Sequence, residues 1–158
     1  MAILSNIWIP LWPVPITMQT FGAFLIAFFF GSKKATITIL LYLIAALLGL
    51  GVLAGYSSGY AEFVGPTGGY LIGFMAMVFV VGKLIEKGYG RTKKSVLFCM
   101  IIGELILYAF GLTGLYLSMG NITLWQTLSY GLFPFIIGDS IKIAMAIPLF
   151  PYLFNKVK

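Results

Sequence analysis

Two opposite charges, Asp139 and Lys142, stand three residues apart in an otherwise apolar run, PFIIGDSIK (134–142). On a helix this spacing places both on one face. A charge near the middle of a bilayer costs about 2.5–3.5 kcal/mol on insertion scales. A pair facing a polar recess reduces that cost, and a pair facing lipid does not. Two readings follow: a salt bridge that merely fixes helix packing, or a ligand site open to the outside. The second is preferred, because ionisable residues inside membrane spans commonly mark function. Glu104 lies in another apolar run. It either pairs with Lys142 across the bundle or lines the cytoplasmic half.

Two further stretches could meet a ligand. In GYSSGYAEFVGPTGGYLIGF (55–74), the residues Gly65, Pro66, Thr67, Gly68 and Gly69 form an irregular stretch leading through Tyr70 into an apolar helix. A helix N-terminus offers free N–H groups and partial positive charge, which suit a carboxylate or a ring carbonyl. No Gly-Lys-Ser/Thr follows, so a phosphate-binding loop is unsupported. Glycine content alone favours a plain surface turn. In PLWPVPITMQT (10–20), three prolines pre-order the backbone and Gln19 adds a neutral hydrogen-bonding group. With Trp8 and Trp12, that stretch by itself reads as an interface anchor.

The elements that must position these groups are membrane helices. Of 158 residues, 61% are hydrophobic and 9% charged, against about 25% charged in a soluble domain. So few polar side chains cannot cover a soluble surface, which excludes a soluble enzyme. The chain has no histidine and a single Cys99. No metal site, cofactor site or internal disulfide is expected, and no catalytic residue is assigned. Apolar runs bounded by Gly, Pro and charge give five spans, at 16–30, 35–54, 69–85, 95–119 and 124–154. All belong to one integral membrane domain, residues 1–158. Pro134 and Pro148 predict a kink or irregular outer turn in the last span. The prolines of residues 1–15 predict an extended or turning segment.

Charge orients this all-α bundle. Lys33 and Lys34 fall between the first two spans; Lys83, Lys87, Arg91, Lys93 and Lys94 fall around the loop after the third; Lys156 and Lys158 fall in the tail. If every run crosses, these bases share one side. Residues 1–15 and loops 55–68 and 111–126 share the other and carry no Lys or Arg. The positive-inside rule makes the basic side, with the C-terminus, cytoplasmic in a cytoplasmic (inner) membrane. It leaves the N-terminus outside, which points to a further helix ahead of Met1. The +6 net charge thus reads as orientation in the lipid bilayer, and nucleic acid is excluded as a partner.

Taken together and in order, VPITMQT (14–20), GPTGGYLIGF (65–74) and PFIIGDSIK (134–142) resemble the BioY family, the substrate-capturing S subunits of energy-coupling-factor (ECF) biotin transporters. The resemblance implies six membrane helices, with the first missing or reduced here, and biotin held near the outer face. It implies capture and uptake of biotin without catalysis, a transmembrane coupling subunit as partner, and two ABC-type ATPases. By motif, Asp139 and Lys142 meet the polar head of biotin, and Gly65–Tyr70 with residues 10–20 help to close the pocket. An S subunit for another small vitamin and a non-catalytic assembly subunit are the alternatives. A membrane enzyme would want clustered carboxylates, histidines or a metal site, and four scattered acids do not provide them.

Overall fold

The computed structural model describes residues 1–157, with side chains through Leu153. Its elements are helix α1 (Ala2–Ser5), strands β1 (Trp8–Ile9) and β2 (Ile16–Thr17), and helices α2 (Gln19–Leu47), α3 (Tyr60–Val64), α4 (Gly68–Glu86), α5 (Lys93–Met119), α6 (Leu124–Gly131) and α7 (Phe133–Val157). Among the described residues, four helical stretches are long and apolar enough to cross a membrane: α2, α4, α5 and Leu124–Leu153, which joins α6 to α7.

The sequence predicts five spans, and the difference lies in α2. Gly31 breaks its helical path with φ 68° and ψ −174°, a conformation that glycine adopts without a Cβ clash. Gln19 and Tyr42, 23 positions apart, are joined by a hydrogen bond of 2.6 Å. A straight helix would hold them about 35 Å apart. Residues 19–30 and 32–47 therefore run back along each other. One glycine makes the whole turn, so no loop separates the first two expected spans. Lys33 and Lys34 sit exposed at the start of the second limb. That limb ends at Leu47 rather than 54: Gly49 takes positive φ just past its end, and a short 3-10 turn, Ala54–Tyr56, follows with Gly55 also at positive φ.

The turn is held from α4. Glu86 Oε1 accepts from the Ser32 N–H and from Ser32 Oγ, both at 2.7 Å. A carboxylate thus caps the N-terminus of the second limb from another helix. At Gly82, an added Cβ would lie 2.5 Å from Ser32 Cα and N, so α4 and the turn touch backbone to backbone. Lys83 also pairs with Glu86 at 3.7 Å, with both side chains over 40% exposed, and such pairs contribute little. Glu86→Ala is expected to lower the thermal unfolding midpoint in detergent, with Glu86→Gln intermediate. Lys83→Ala should leave the midpoint nearly unchanged. Equal losses for Glu86→Ala and Lys83→Ala would refute the capping role.

The core is one continuous cluster. It includes Ala23, Phe24, Ala27 and Phe28 from the first limb, Ile39 and Leu43 from the second, Met77, Val78 and Val81 from α4, and Cys99 and Met100 from α5. Phe150 of α7 closes on Phe21 and Phe28 at ring distances of 5.4 and 4.6 Å. Residues 1–15 are not wholly extended: α1 is one helical turn, pinned by Ser5 Oγ donating to Val52 O at 2.7 Å. β1 and β2 then pair antiparallel, Trp8 with Thr17 and Ile9 with Ile16, across the proline turn. α6 and α7 are separated at Leu132 (φ −121°, ψ −60°). Pro134 lies in the first turn of α7, where its missing N–H costs no helix bond.

Lys33, Lys34, Lys83, Lys87, Arg91, Lys93 and Lys94 are all exposed at the end of the bundle that carries the Gly31 turn and the α4–α5 loop. The side chains of Lys156 and Lys158 lie outside the described residues.

Candidate functional site

Toward the opposite end, α7 presents Asp139 and Lys142 inward. They are 5% and 4% exposed, and Lys142 Nζ donates to Asp139 Oδ1 at 2.8 Å. Neither faces lipid. From α5, the Tyr108 hydroxyl donates to Asp139 Oδ2. Among the described residues, each carboxylate oxygen thus receives one hydrogen bond and keeps a free lone pair. Lys142 uses one of its three protons on Asp139. The pair is satisfied when empty and still has hydrogen-bonding capacity to offer.

These groups line a cavity of about 260 Å³, close to the lower bound of roughly 300 Å³ usual for small-molecule sites. One wall is apolar: Leu71 and Phe74 of α4, Leu107 of α5 and Phe135 of α7. Tyr70 stacks on Phe135 at 6.0 Å and 20°, and its hydroxyl donates to Gly131 O at 2.7 Å. A flat aromatic surface is therefore fixed beside the ion pair. The other wall comes from Pro13, Val14, Pro15 and Thr17, with Gln19 and Thr20 at the start of α2 and Leu53, Ala54 and Ser57 from the turn after it. Glu62 and Thr67 complete the lining, with Thr67 Oγ1 donating to Glu62 O at 2.9 Å.

Of the residues singled out from the sequence, Asp139, Lys142, Thr67, Tyr70 and Gln19 are brought together on this cavity. Gln19 Oε1 accepts from Thr17 Oγ1 at 3.1 Å and its Nε2 donates to Tyr42 Oη at 2.6 Å. Tyr42 in turn donates to Val52 O at 2.8 Å. This chain ties the proline segment to both limbs of α2. The proline segment reaches the ion pair through Gly138, where an added Cβ would meet Ile16 Cγ2 at 3.2 Å. Gly65, Pro66, Gly68 and Gly69 lie off the cavity wall. A Cβ at Gly68 would meet Phe63 O at 1.9 Å, and one at Gly69 would meet Phe110 O at 2.4 Å and Gly114 Cα at 2.8 Å. These two glycines let α3 and α5 approach α4, which is how Thr67 and Tyr70 reach the cavity. Glu104, 6% exposed, does not line it.

Sequence reasoning missed Tyr108, Glu62 and Ser57. Tyr108 carried a usable signal, lying one helical turn from Glu104 in the same apolar run. Glu62 and Ser57 lie in the 55–74 stretch, but nothing in their spacing set them apart, since only the folded loop brings them to the cavity.

The whole chain, residues 1–158, matches the family model described as the BioY family. The chain belongs to the BioY family. It is similar to the biotin transporter BioY of Thermotoga maritima, at 38% identity over 91% of this chain and 84% of that protein. It is also similar to the biotin transporter BioY of Rhizobium etli, at 37% identity over 85% of this chain and 74% of that one. Among solved structures it resembles the S-component for biotin from an ECF-type ABC transporter. The TM-score there is 0.82 at 31% identity, covering 96% of this chain and 82% of the other. BioY is a transporter family, so the chain is a multi-pass membrane protein of transport rather than an enzyme. The likeness extends over the helices that build the cavity described above.

Proposed function

We propose that this BioY chain captures biotin in the Asp139–Lys142 cavity as the S component of an ECF-type transporter. One observation carries the reading: a buried ion pair with spare hydrogen-bonding capacity lies beside a flat aromatic wall. Biotin matches both halves. Its ureido ring has N–H donors for Asp139 and a C=O acceptor for Lys142. Its sulfur-containing ring and valerate arm are apolar enough for Tyr70, Phe74, Leu107 and Phe135. Gln19 and Thr67 flank the recess, and Gly65, Pro66, Gly68 and Gly69 shape the turn that sets Thr67 and Tyr70. The names of the relatives support the same ligand.

The remaining readings follow from family and charge. The chain is one integral membrane domain in the cytoplasmic membrane. Its basic end and C-terminus face the cytoplasm; residues 1–15, loops 55–68 and 111–126, and the cavity mouth face outward. ATP-driven uptake requires a transmembrane coupling subunit and two ABC-type ATPases.

The test is calorimetric titration of the detergent-purified chain with biotin and a panel of other small vitamins. Saturable binding of biotin in preference to the panel is expected. Preference for another vitamin would transfer the assignment to that vitamin, and no binding at all would leave an assembly role. Within the same assay, Tyr108→Phe removes a hydrogen bond to a charged acceptor, worth about 1.5–3 kcal/mol. Biotin affinity should fall about 10- to 100-fold, and an unaltered affinity would remove Tyr108 from the site.

A further inference from the structure

Glu104 is the buried ionisable group that the capture reading leaves without a role. It is 6% exposed, and neither carboxylate oxygen has a hydrogen-bond partner among the described residues. An ionised carboxylate in that condition is costly, so its neighbourhood decides its state.

The register of α5 against α7 supplies that neighbourhood. Gly131, just ahead of α7, sits against Leu112 and Leu115 of α5. Further along, Tyr108 reaches Asp139. Numbers fall on α5 as they rise on α7, so the helices are antiparallel. One more turn carries α5 to Glu104 and α7 to Lys142, about 6 and 4.5 Å along their axes. Glu104 therefore stands level with Lys142, whose one hydrogen bond among the described residues goes to Asp139. The other ionisable groups facing Glu104 among the described residues are Tyr108, one turn along its own helix, and Asp139 on α7. Beside it at Gly103, the first limb of α2 turns Phe24 and α4 turns Val81, neither of which carries charge. Two carboxyls and one ammonium thus lie in one buried cluster, with the ammonium bonded to Asp139.

We propose that Glu104 carries a proton when the site can bind, and that its ionisation draws Lys142 away from Asp139, making ligand capture proton-linked. This rests on the capture reading. One balanced pair, Asp139 with Lys142, and one neutral acid leave the cluster uncharged, whereas two carboxylates leave a net buried negative charge. When Glu104 gives its proton to solvent, Lys142 gains a second anionic acceptor within reach of its flexible stem. Moving there removes the donor meant for the ligand carbonyl and leaves Asp139 to Tyr108 alone. The binding-competent fraction is then the fraction with Glu104 protonated, and the apparent dissociation constant rises as that fraction falls.

Biotin binding by the detergent-purified chain should be tight at about pH 6 and weaken with rising pH, by about tenfold per pH unit beyond the ionisation midpoint. Glu104→Gln, which stays neutral, should abolish most of this dependence up to about pH 9. A flat wild-type profile, or an unchanged profile in Glu104→Gln, would overturn the proposal. Infrared spectroscopy of the wild-type chain with 13C-labelled glutamate needs neither the variant nor a ligand. At neutral pH it should show a protonated carboxylic acid band that shifts with the label, and absence of that band overturns the proposal. If wild type binds no biotin at any pH, the capture reading fails, and the infrared result alone decides the state of Glu104.

Discussion

Asp139→Asn is expected to weaken biotin binding by about 30-fold to several thousand-fold, without loss of the folded, detergent-soluble chain. Removing one partner of a buried, hydrogen-bonded charge pair costs about 2–5 kcal/mol, and each 1.4 kcal/mol is tenfold in affinity. The amide keeps nearly the same shape but carries no charge. It leaves the Lys142 ammonium buried without a counter-ion. It also replaces one of the two oxygens that accept from Lys142 and Tyr108 with an NH2 donor, in the group proposed to receive the ureido N–H. Fluorescence or calorimetric titration reads the affinity, and gel filtration with a thermal melt reads the fold. Wild-type affinity in a well-folded Asp139→Asn chain would remove the ion pair from ligand recognition.

Gly69→Val should produce the largest structural effect. At Gly69 the first turn of α4 passes α5 with no room for a side chain. An added Cβ would lie 2.4 Å from Phe110 O and 2.8 Å from Gly114 Cα. Both are backbone atoms, so no rotamer change relieves the clash and the helices must separate. Small residues let membrane helices approach in this way. Forcing carbon into a packed contact costs about 1–3 kcal/mol and sometimes more, and a β-branched side chain against backbone belongs at the upper end. The thermal midpoint in detergent should fall clearly. Biotin affinity should fall with it, because separation moves Tyr70 off Phe135 and away from the cavity. Gly88→Val is the control: that glycine has nothing within 4 Å of its Cβ position, though its φ of +97° is strained by any side chain. It should therefore lose stability without loss of affinity. A Gly69→Val chain with wild-type melting and binding would show that the close contact is dispensable.

Several features were legible because they are local. The apolar runs, the basic loop residues and the three-residue spacing of Asp139 and Lys142 each follow from a single segment. A helix fixes its own faces, so the shared face of that pair needed no partner. The glycine motif was legible as a motif but not as a mechanism. Its spacing could not distinguish a ligand cradle from a helix contact, because that distinction depends on what packs opposite. Gly68 and Gly69 face Phe63 and α5, whereas Thr67 and Tyr70 face the cavity.

The sequence by itself determined a membrane helix bundle, its basic end, and an ion pair that had to find a polar recess because lipid would penalise it. Only the tertiary structure decided the sharp turn at Gly31, the recruitment of Tyr108 to Asp139 across 31 positions, the Tyr70 hydroxyl bond to Gly131 across 61, and the level at which Glu104 meets Lys142. The reason is range. Periodicity and charge act within a segment, but register between helices is set by side-chain packing along the whole contact, and no short stretch of residues contains that information.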